Sequence, residues 1–194
     1  LEARGVPHRR DVPLGVMVET PAAAVAADTF AGDVAFFSIG TNDLVQYTLA
    51  VDRGNVNLAS RFTPLHPAVL RLIRRTVQMG AAAGLEVSVC GEMASQPLMA
   101  FALIGLGVRQ LSVAVQSVAM VKRIIRGISV DVAQAAAEAA MLSPTAEGVE
   151  SVLRDAARKA FGDAPFLRYG LPVRGEQDMF GDAGDISVHP AKRK

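Results

Sequence analysis

Acidic, amide and thiol side chains stand at the ends of three short apolar segments. Glu19 follows "VMV", Asn42 and Asp43 follow "FFSIGT", and Cys90 and Glu92 follow "VSV". The carboxyl ends of parallel strands lie at one edge of an α/β sheet, where loops gather residues from several strands around one crevice. We therefore expect these side chains to form one site.

Glu19 and Asp43 are candidate ligands of a divalent cation. A lone acid at the beginning of a helix is more often a solvated residue that the helix dipole stabilises. Two acids on successive strand ends favour a metal site instead. Mg²⁺ takes one or two carboxylates and fills its remaining positions with water and substrate phosphate oxygens, so these two residues suffice as protein ligands.

The stretch "SIGTNDLVQYTLAVDRGN", residues 38–55, has the features of an anion-binding loop. Gly40 allows a sharp turn after the strand, and the backbone amides around Thr41, Asn42 and Asp43 can point at an anion. The guanidinium of Arg53 can hold a phosphate group through two parallel hydrogen bonds. Without further information, Arg53 is equally well explained as the partner of a surface acid such as Asp52.

Cys90 is the only cysteine in the chain. A free cysteine is more often an inert packing residue than a reactive one. A thiol can nevertheless give and regain a proton near neutral pH, and a strand-end position places it at the mouth of the crevice. The residues alone leave both interpretations open.

Four apolar segments predict the strands that position these side chains. They cover residues 12–19, 34–40, 85–91 and 110–115. Each is continuous in apolar residues where a strand with one exposed face would alternate, so we expect parallel strands buried on both faces. Helical segments lie between them, and Thr20, Pro21 and Gly84 mark helix ends. This order predicts an α/β architecture.

Further helices and a tail follow the predicted sheet. An alanine-rich stretch after Gly127 and a second stretch after Pro144 predict two helices packed outside the sheet. Residues 167–194 combine glycine, proline and charge without any period, so we expect a disordered tail. The folded domain is therefore expected to cover residues 1–166.

Composition narrows the classes of partner. The 194 residues are 51% hydrophobic and 20% charged, with a formal net charge of +1, which fits a globular protein that binds a small molecule. This balance is not that of a nucleic-acid-binding or membrane-surface protein. No apolar run reaches membrane-spanning length, and a lone cysteine forms no internal disulfide, so we expect a cytoplasmic protein. Because the chain begins at Leu1, we also expect it to be part of a longer one.

Four motifs together resemble one family. "GVMVETPAA", "FFSIGTNDLVQYTLAVDRGN", "LHPAVLRLI" and "VCGEMA" are similar, in this order and spacing, to the enzyme I family of the bacterial phosphotransferase system, the phosphoenolpyruvate-protein phosphotransferases. The similarity runs from about residue 12 to about residue 161. It implies the C-terminal half of a (β/α)₈ TIM barrel that binds phosphoenolpyruvate, with extra C-terminal helices.

The resemblance also implies roles for the candidate residues. Glu19 and Asp43 would hold Mg²⁺, while Asn42, Asp43 and Arg53 would hold the substrate phosphate. Cys90 would be the catalytic acid that protonates the enolate carbon when pyruvate forms. The phosphoryl group would pass through a phosphohistidine, in a domain absent here, to a histidine-containing phosphocarrier protein. The family's barrel domain also implies a homodimer.

Two alternatives remain beside this prediction. Pyruvate phosphate dikinase and phosphoenolpyruvate synthase share the "GTNDL" and "CGE" elements, so the chain could belong to an enzyme of that type. It could also be a truncated, non-catalytic chain that serves dimerisation or regulation. The sequence does not choose between sugar uptake and a nitrogen-regulatory branch.

Overall fold

A parallel sheet forms the centre of the computed structural model, which describes residues 1–52 and 54–162. Arg53 and the predicted tail, residues 167–194, lie outside the described residues. The strands are β1 (Gly15–Val18), β2 (Phe36–Gly40), β3 (Glu86–Cys90) and β4 (Gln110–Leu111), in the order β1-β2-β3-β4. All three neighbouring pairs are parallel, which confirms the α/β prediction.

Helices connect the strands and extend beyond them. They are α1 (Pro21–Val25), α2 (Ala27–Phe30), α3 (Thr41–Leu49), α4 (Pro67–Ala82), α5 (Glu92–Ser95), α6 (Pro97–Gly105), α7 (Val118–Gly127), α8 (Val130–Met141) and α9 (Ala146–Phe161). Short 3-10 helices cover Glu2–Arg4, Ala31–Asp33, Val56–Arg61 and Val115–Ser117. The two expected helices after the sheet are α8 and α9. Within the described residues, no helix combines the length and the apolar character that a bilayer crossing requires.

Local sequence signals set the helix ends as predicted. The Thr20 side chain accepts a hydrogen bond from the Ala23 amide at 3.2 Å, and Pro21 is the first residue of α1. Helix α4 ends at Ala82, and the chain then turns through Gly84 at φ +71°. A left-handed glycine of this kind ends helices because it carries no Cβ. These short-range signals place the loops that enter and leave the strands.

Helices cover only one face of the sheet in the described residues. Val18, Phe37, Ile39 and Val89 are fully buried, and α4 packs against β2 and β3. On the other face, Met17 is 46% exposed. The expectation of strands buried on both faces is therefore wrong for this part of the chain, because apolar continuity does not show whether other elements cover both faces.

Helices α6 and α8 approach each other closely at Gly105. A Cβ atom at this position would lie 2.1 Å from the Ala133 carbonyl oxygen and 2.7 Å from the Ala137 Cβ atom. Glycine is thus required for the two helices to pack at this distance. Through this contact α8 packs directly against α6.

We expect Gly105→Ala to lower the free energy of unfolding by about 2 kcal/mol, because the added methyl group overpacks the contact between the two helices. Denaturant unfolding measures the change. Gly32→Ala is the matched control, since a Cβ atom there meets nothing within 4 Å. An equal response of the two variants would contradict the close approach of α6 and α8.

Candidate active site at the strand ends

The register of the sheet brings the predicted residues to one edge. Val18 pairs with Ile39, and Gly40 pairs with Cys90, so β1, β2 and β3 end side by side. Glu19 directly follows β1, and α3 directly follows β2. The predicted clustering of strand-end residues therefore has a structural basis.

The Glu19 side chain lies over the end of β2. A Cβ atom at Gly40 would be 2.9 Å from Glu19 Oε2 and 3.0 Å from Glu19 Cβ. Gly40 is buried, while Glu19 is half-buried. The absence of a side chain at Gly40 thus allows the Glu19 carboxylate to lie against the backbone from which α3 begins.

Helix α3 places Asn42 and Asp43 in its first turn, where both are half-buried. The residue before the helix, Gly40, supplies no side-chain cap to the first-turn amides. Free amides and the helix dipole favour negative charge at this end. The first turn can therefore accommodate an anionic group beside the Asp43 carboxylate only if a cation offsets their repulsion.

Two hydrogen bonds join the first turn of α3, which follows β2, to the end of β3 and the beginning of α5. The Thr41 hydroxyl donates to the Cys90 carbonyl oxygen at 3.0 Å, and the Glu92 amide donates to Asn42 Oδ1 at 3.3 Å. Gly91 has φ +108°, and a Cβ atom there would lie 2.5 Å from Thr41 Oγ1. The contact between Thr41 and Cys90 therefore requires glycine at position 91. It keeps Asn42 beside the end of β3, where Cys90 lies.

Sequence reasoning named only the backbone amide of Thr41 and missed the role of its side chain. Its side chain is 1% exposed, one of two buried polar side chains among the described residues. A polar residue directly after a buried strand is a signal for such a tie, because a buried hydroxyl group needs a hydrogen-bond partner. The sequence gives no indication that this partner lies on β3.

Cys90 is half-buried on the uncovered face of the sheet. Its sulfur lies 3.5 Å from the Ile39 carbonyl oxygen, 3.7 Å from Ser38 Oγ and 3.8 Å from Met17 Sδ. The thiol is therefore not enclosed in the core formed under the helices. Its catalytic role stays a prediction, and its partial exposure is the condition that this role requires.

The chemistry of the site fits a hard cation. Among the described residues, no group of three or more histidine, cysteine, aspartate or glutamate side chains is arranged to hold a metal. Glu19 and Asp43 provide two carboxylates at the ends of paired strands. Mg²⁺ is suited to such a site, because water and substrate oxygens complete its coordination.

A cleft opens beside the contact between α3 and α5. It has a volume of about 250 Å³ and is lined by Asn42, Ala59, Phe62 and Glu92. Ala59 belongs to the 3-10 helix Val56–Arg61, and Phe62 directly follows that helix. The cleft therefore borders the first turn of α3 at Asn42.

Arg53 lies outside the described residues, so its expected phosphate contact stays a prediction. The flanking Asp52 side chain accepts a hydrogen bond from the Gly54 amide at 2.8 Å. His66 caps the beginning of α4, because its Nδ1 atom accepts a hydrogen bond from the Ala68 amide.

The sequence and the site define a family. The profile described as "PEP-utilising enzyme, PEP-binding domain" matches residues 1–130, and the chain belongs to this family. The match includes β1 to β4 and every predicted site residue.

Three named relatives show which members of the family this chain resembles. The chain is 41% identical over 145 residues to the phosphoenolpyruvate-protein phosphotransferase of Haemophilus influenzae, covering 75% of this chain and 25% of the relative. It is 46% identical over 142 residues to the multiphosphoryl transfer protein of Xanthomonas campestris, covering 73% of this chain and 17% of the relative. The phosphoenolpyruvate-protein phosphotransferase of Staphylococcus carnosus is 36% identical over 160 residues, which cover 82% of this chain and 28% of that protein. The resemblance is confirmed. The chain spans 17% to 28% of the length of these three relatives.

Proposed function

We propose that this chain is the phosphoenolpyruvate-binding part of a phosphoenolpyruvate-protein phosphotransferase. The observation that carries the proposal is the contact of the first turn of α3 with the end of β3 and the beginning of α5, in a domain of the matching family. Asn42 and Asp43 follow β2, and Glu19 lies over Gly40. Asn42 accepts a hydrogen bond from the amide of Glu92, which lies two residues after Cys90. The two relatives of this name described above are 41% and 36% identical to this chain over the matched region.

In the proposed site, the chain binds and orients the phosphate end of the substrate. Glu19 and Asp43 would hold Mg²⁺, which would neutralise phosphate charge when bound. Asn42, Asp43 and the adjacent amides would face the phosphate oxygens, and Arg53 would add a guanidinium. In phosphoryl transfer, such positioning and charge neutralisation are the protein's main contributions.

Cys90 would act at the other end of the substrate. When the phosphoryl group leaves phosphoenolpyruvate, the enolate of pyruvate remains and needs a proton at its methylene carbon. The Cys90 S–H bond breaks, a C–H bond forms, and the electron pair stays on sulfur as a thiolate. Water then returns a proton to the thiolate, which completes the cycle.

The complete reaction requires more than this chain. We propose that the four parallel strands are half of a (β/α)₈ TIM barrel and that the remaining strands lie elsewhere in a longer protein. A phosphohistidine outside this chain would receive the phosphoryl group and pass it to a histidine-containing phosphocarrier protein. We also propose a cytoplasmic, homodimeric enzyme that serves sugar transport or a related nitrogen-regulatory branch.

The alternatives receive less support. A pyruvate phosphate dikinase or phosphoenolpyruvate synthase is not favoured, because the relatives described above carry the names of phosphotransferases. A non-catalytic dimerisation chain would not need a Glu19 carboxylate that lies against Gly40 or the tie between Asn42 and Glu92. Ligand binding distinguishes this last alternative from the proposal.

We expect the full chain to bind phosphoenolpyruvate only in the presence of Mg²⁺, because the phosphate would otherwise meet uncompensated carboxylates. Isothermal titration with and without Mg²⁺ measures this dependence, and circular dichroism shows whether the chain is folded. Pyruvate, which lacks the phosphate, is the control ligand and should bind much more weakly. If a folded chain bound no phosphoenolpyruvate at millimolar concentration, the proposal that this part carries a preformed site would be wrong.

A further inference from the structure

Two serines lie next to each other on the uncovered face of the sheet but make different hydrogen bonds. Ser38 of β2 pairs in register with Ser88 of β3, and both are half-buried. Ser38 Oγ donates to Cys90 Sγ at 3.7 Å. Ser88 Oγ donates to the Phe37 carbonyl oxygen at 3.4 Å. Of this pair, only Ser38 has its hydroxyl group bonded to the thiol sulfur.

The groups around the sulfur differ in what they offer it. The Ile39 carbonyl oxygen and Met17 Sδ carry no hydrogen and can only accept. They can therefore interact with a thiol but give nothing to a thiolate. Among these three neighbours, the Ser38 hydroxyl is the one that can donate a hydrogen bond to either form.

The first charged residue after each of β1, β2 and β3 is a carboxylate. Glu19 and Asp43 follow β1 and β2, and Glu92 begins α5 directly after the Cys90 strand. Strands β1, β2 and β4 contain no charged residue, and Glu86 stands at the opposite end of β3. Like charges raise the free energy of an anion, whereas a hydrogen bond donated to it lowers that free energy.

We propose that Ser38 is a positioning residue that stabilises the Cys90 thiolate left after proton transfer to the substrate carbon. This role depends on the proposed acid function of Cys90. As the S–H bond breaks, the contact with Ile39 changes from a donated hydrogen bond to repulsion between sulfur and oxygen. The Ser38 contact becomes a charge-assisted hydrogen bond in the same step, and such bonds are about twice as strong as neutral ones.

The first test is alkylation of the full chain by iodoacetamide across neutral and alkaline pH. Because Cys90 is the only cysteine, the rate reports this thiol alone. We expect Ser38→Ala to raise the pH of half-maximal alkylation by about one unit, because the thiolate loses its donor. Ser38→Thr, which keeps the hydroxyl group, should restore the original profile.

Ser88→Ala is the matched control. It removes a hydroxyl group from the same face and the same register position, but this hydroxyl group is bonded to a backbone carbonyl oxygen. We expect its alkylation profile to equal that of the unaltered chain. If Ser38→Ala left the profile unchanged, or if both alanine variants shifted it equally, the proposed role of Ser38 would be overturned.

Phosphoenolpyruvate titration of the unaltered chain separates this proposal from the proposed function. Mg²⁺-dependent binding together with an unchanged Ser38→Ala profile would overturn the role of Ser38 alone. A shifted profile in a folded chain that binds no phosphoenolpyruvate would overturn the proposal that this part carries a preformed site, and with it the part of Ser38 in that chemistry. Both results as expected, binding and a shifted profile, would support the two proposals together.

Discussion

We expect Asp43→Ala to weaken Mg²⁺-dependent binding of phosphoenolpyruvate roughly a hundredfold. The substitution removes one of two proposed carboxylate ligands and leaves the metal with Glu19 as its protein ligand. Loss of a close charge pair at a partly buried site costs about 3 kcal/mol, which corresponds to this change in dissociation constant. Isothermal titration at saturating Mg²⁺ measures the effect.

Two further variants test whether the effect comes from the charge of Asp43. Asp43→Asn keeps the size of the side chain but removes its charge, so it should weaken binding nearly as much as alanine does. Glu86→Ala removes an exposed carboxylate at the opposite end of the sheet and should have no effect. Full binding by Asp43→Asn would show that Asp43 is not a metal ligand, and weakened binding by Glu86→Ala would indicate a general effect of charge.

The parts of the fold that depend on short-range chemistry were predictable from the sequence. Thr20 and Pro21 begin α1 because a hydroxyl group can accept from a first-turn amide and proline needs no donor there. Gly84 follows the end of α4 because it tolerates a left-handed backbone. Each signal involves residues a few positions apart, so no tertiary information was needed to place these helix ends.

Features that depend on distant residues were not predictable. The tie from Thr41 to the Cys90 carbonyl oxygen joins residues 49 positions apart, and the contact of Ser38 with Cys90 joins residues 52 apart. Both arise from the register of β2 against β3. Individual strand patterns do not specify that register, although they correctly predicted that the strands end at one edge.

The covered and uncovered faces of the sheet lead to one more prediction, which compares two adjacent phenylalanines. Phe37 is fully buried under the helices, and its ring contacts that of Phe30 edge to face, with ring centroids 5.6 Å apart. Phe36, on the opposite face of the sheet, is 39% exposed. We expect Phe37→Ala to lower the free energy of unfolding by about 4 kcal/mol, because it leaves a cavity in the core.

Phe36→Ala is the control and should cost about 1 kcal/mol, because the Phe36 ring is only partly removed from water. Denaturant unfolding of the full chain measures both variants. The difference between them tests the assignment of the two faces directly, since the residues are neighbours of the same type. Equal losses would mean that Phe36 is also enclosed in the folded chain, by a second copy or by residues outside the described part. In that case the face on which Cys90 lies would be covered, and the thiol would be less accessible than its half-buried state indicates.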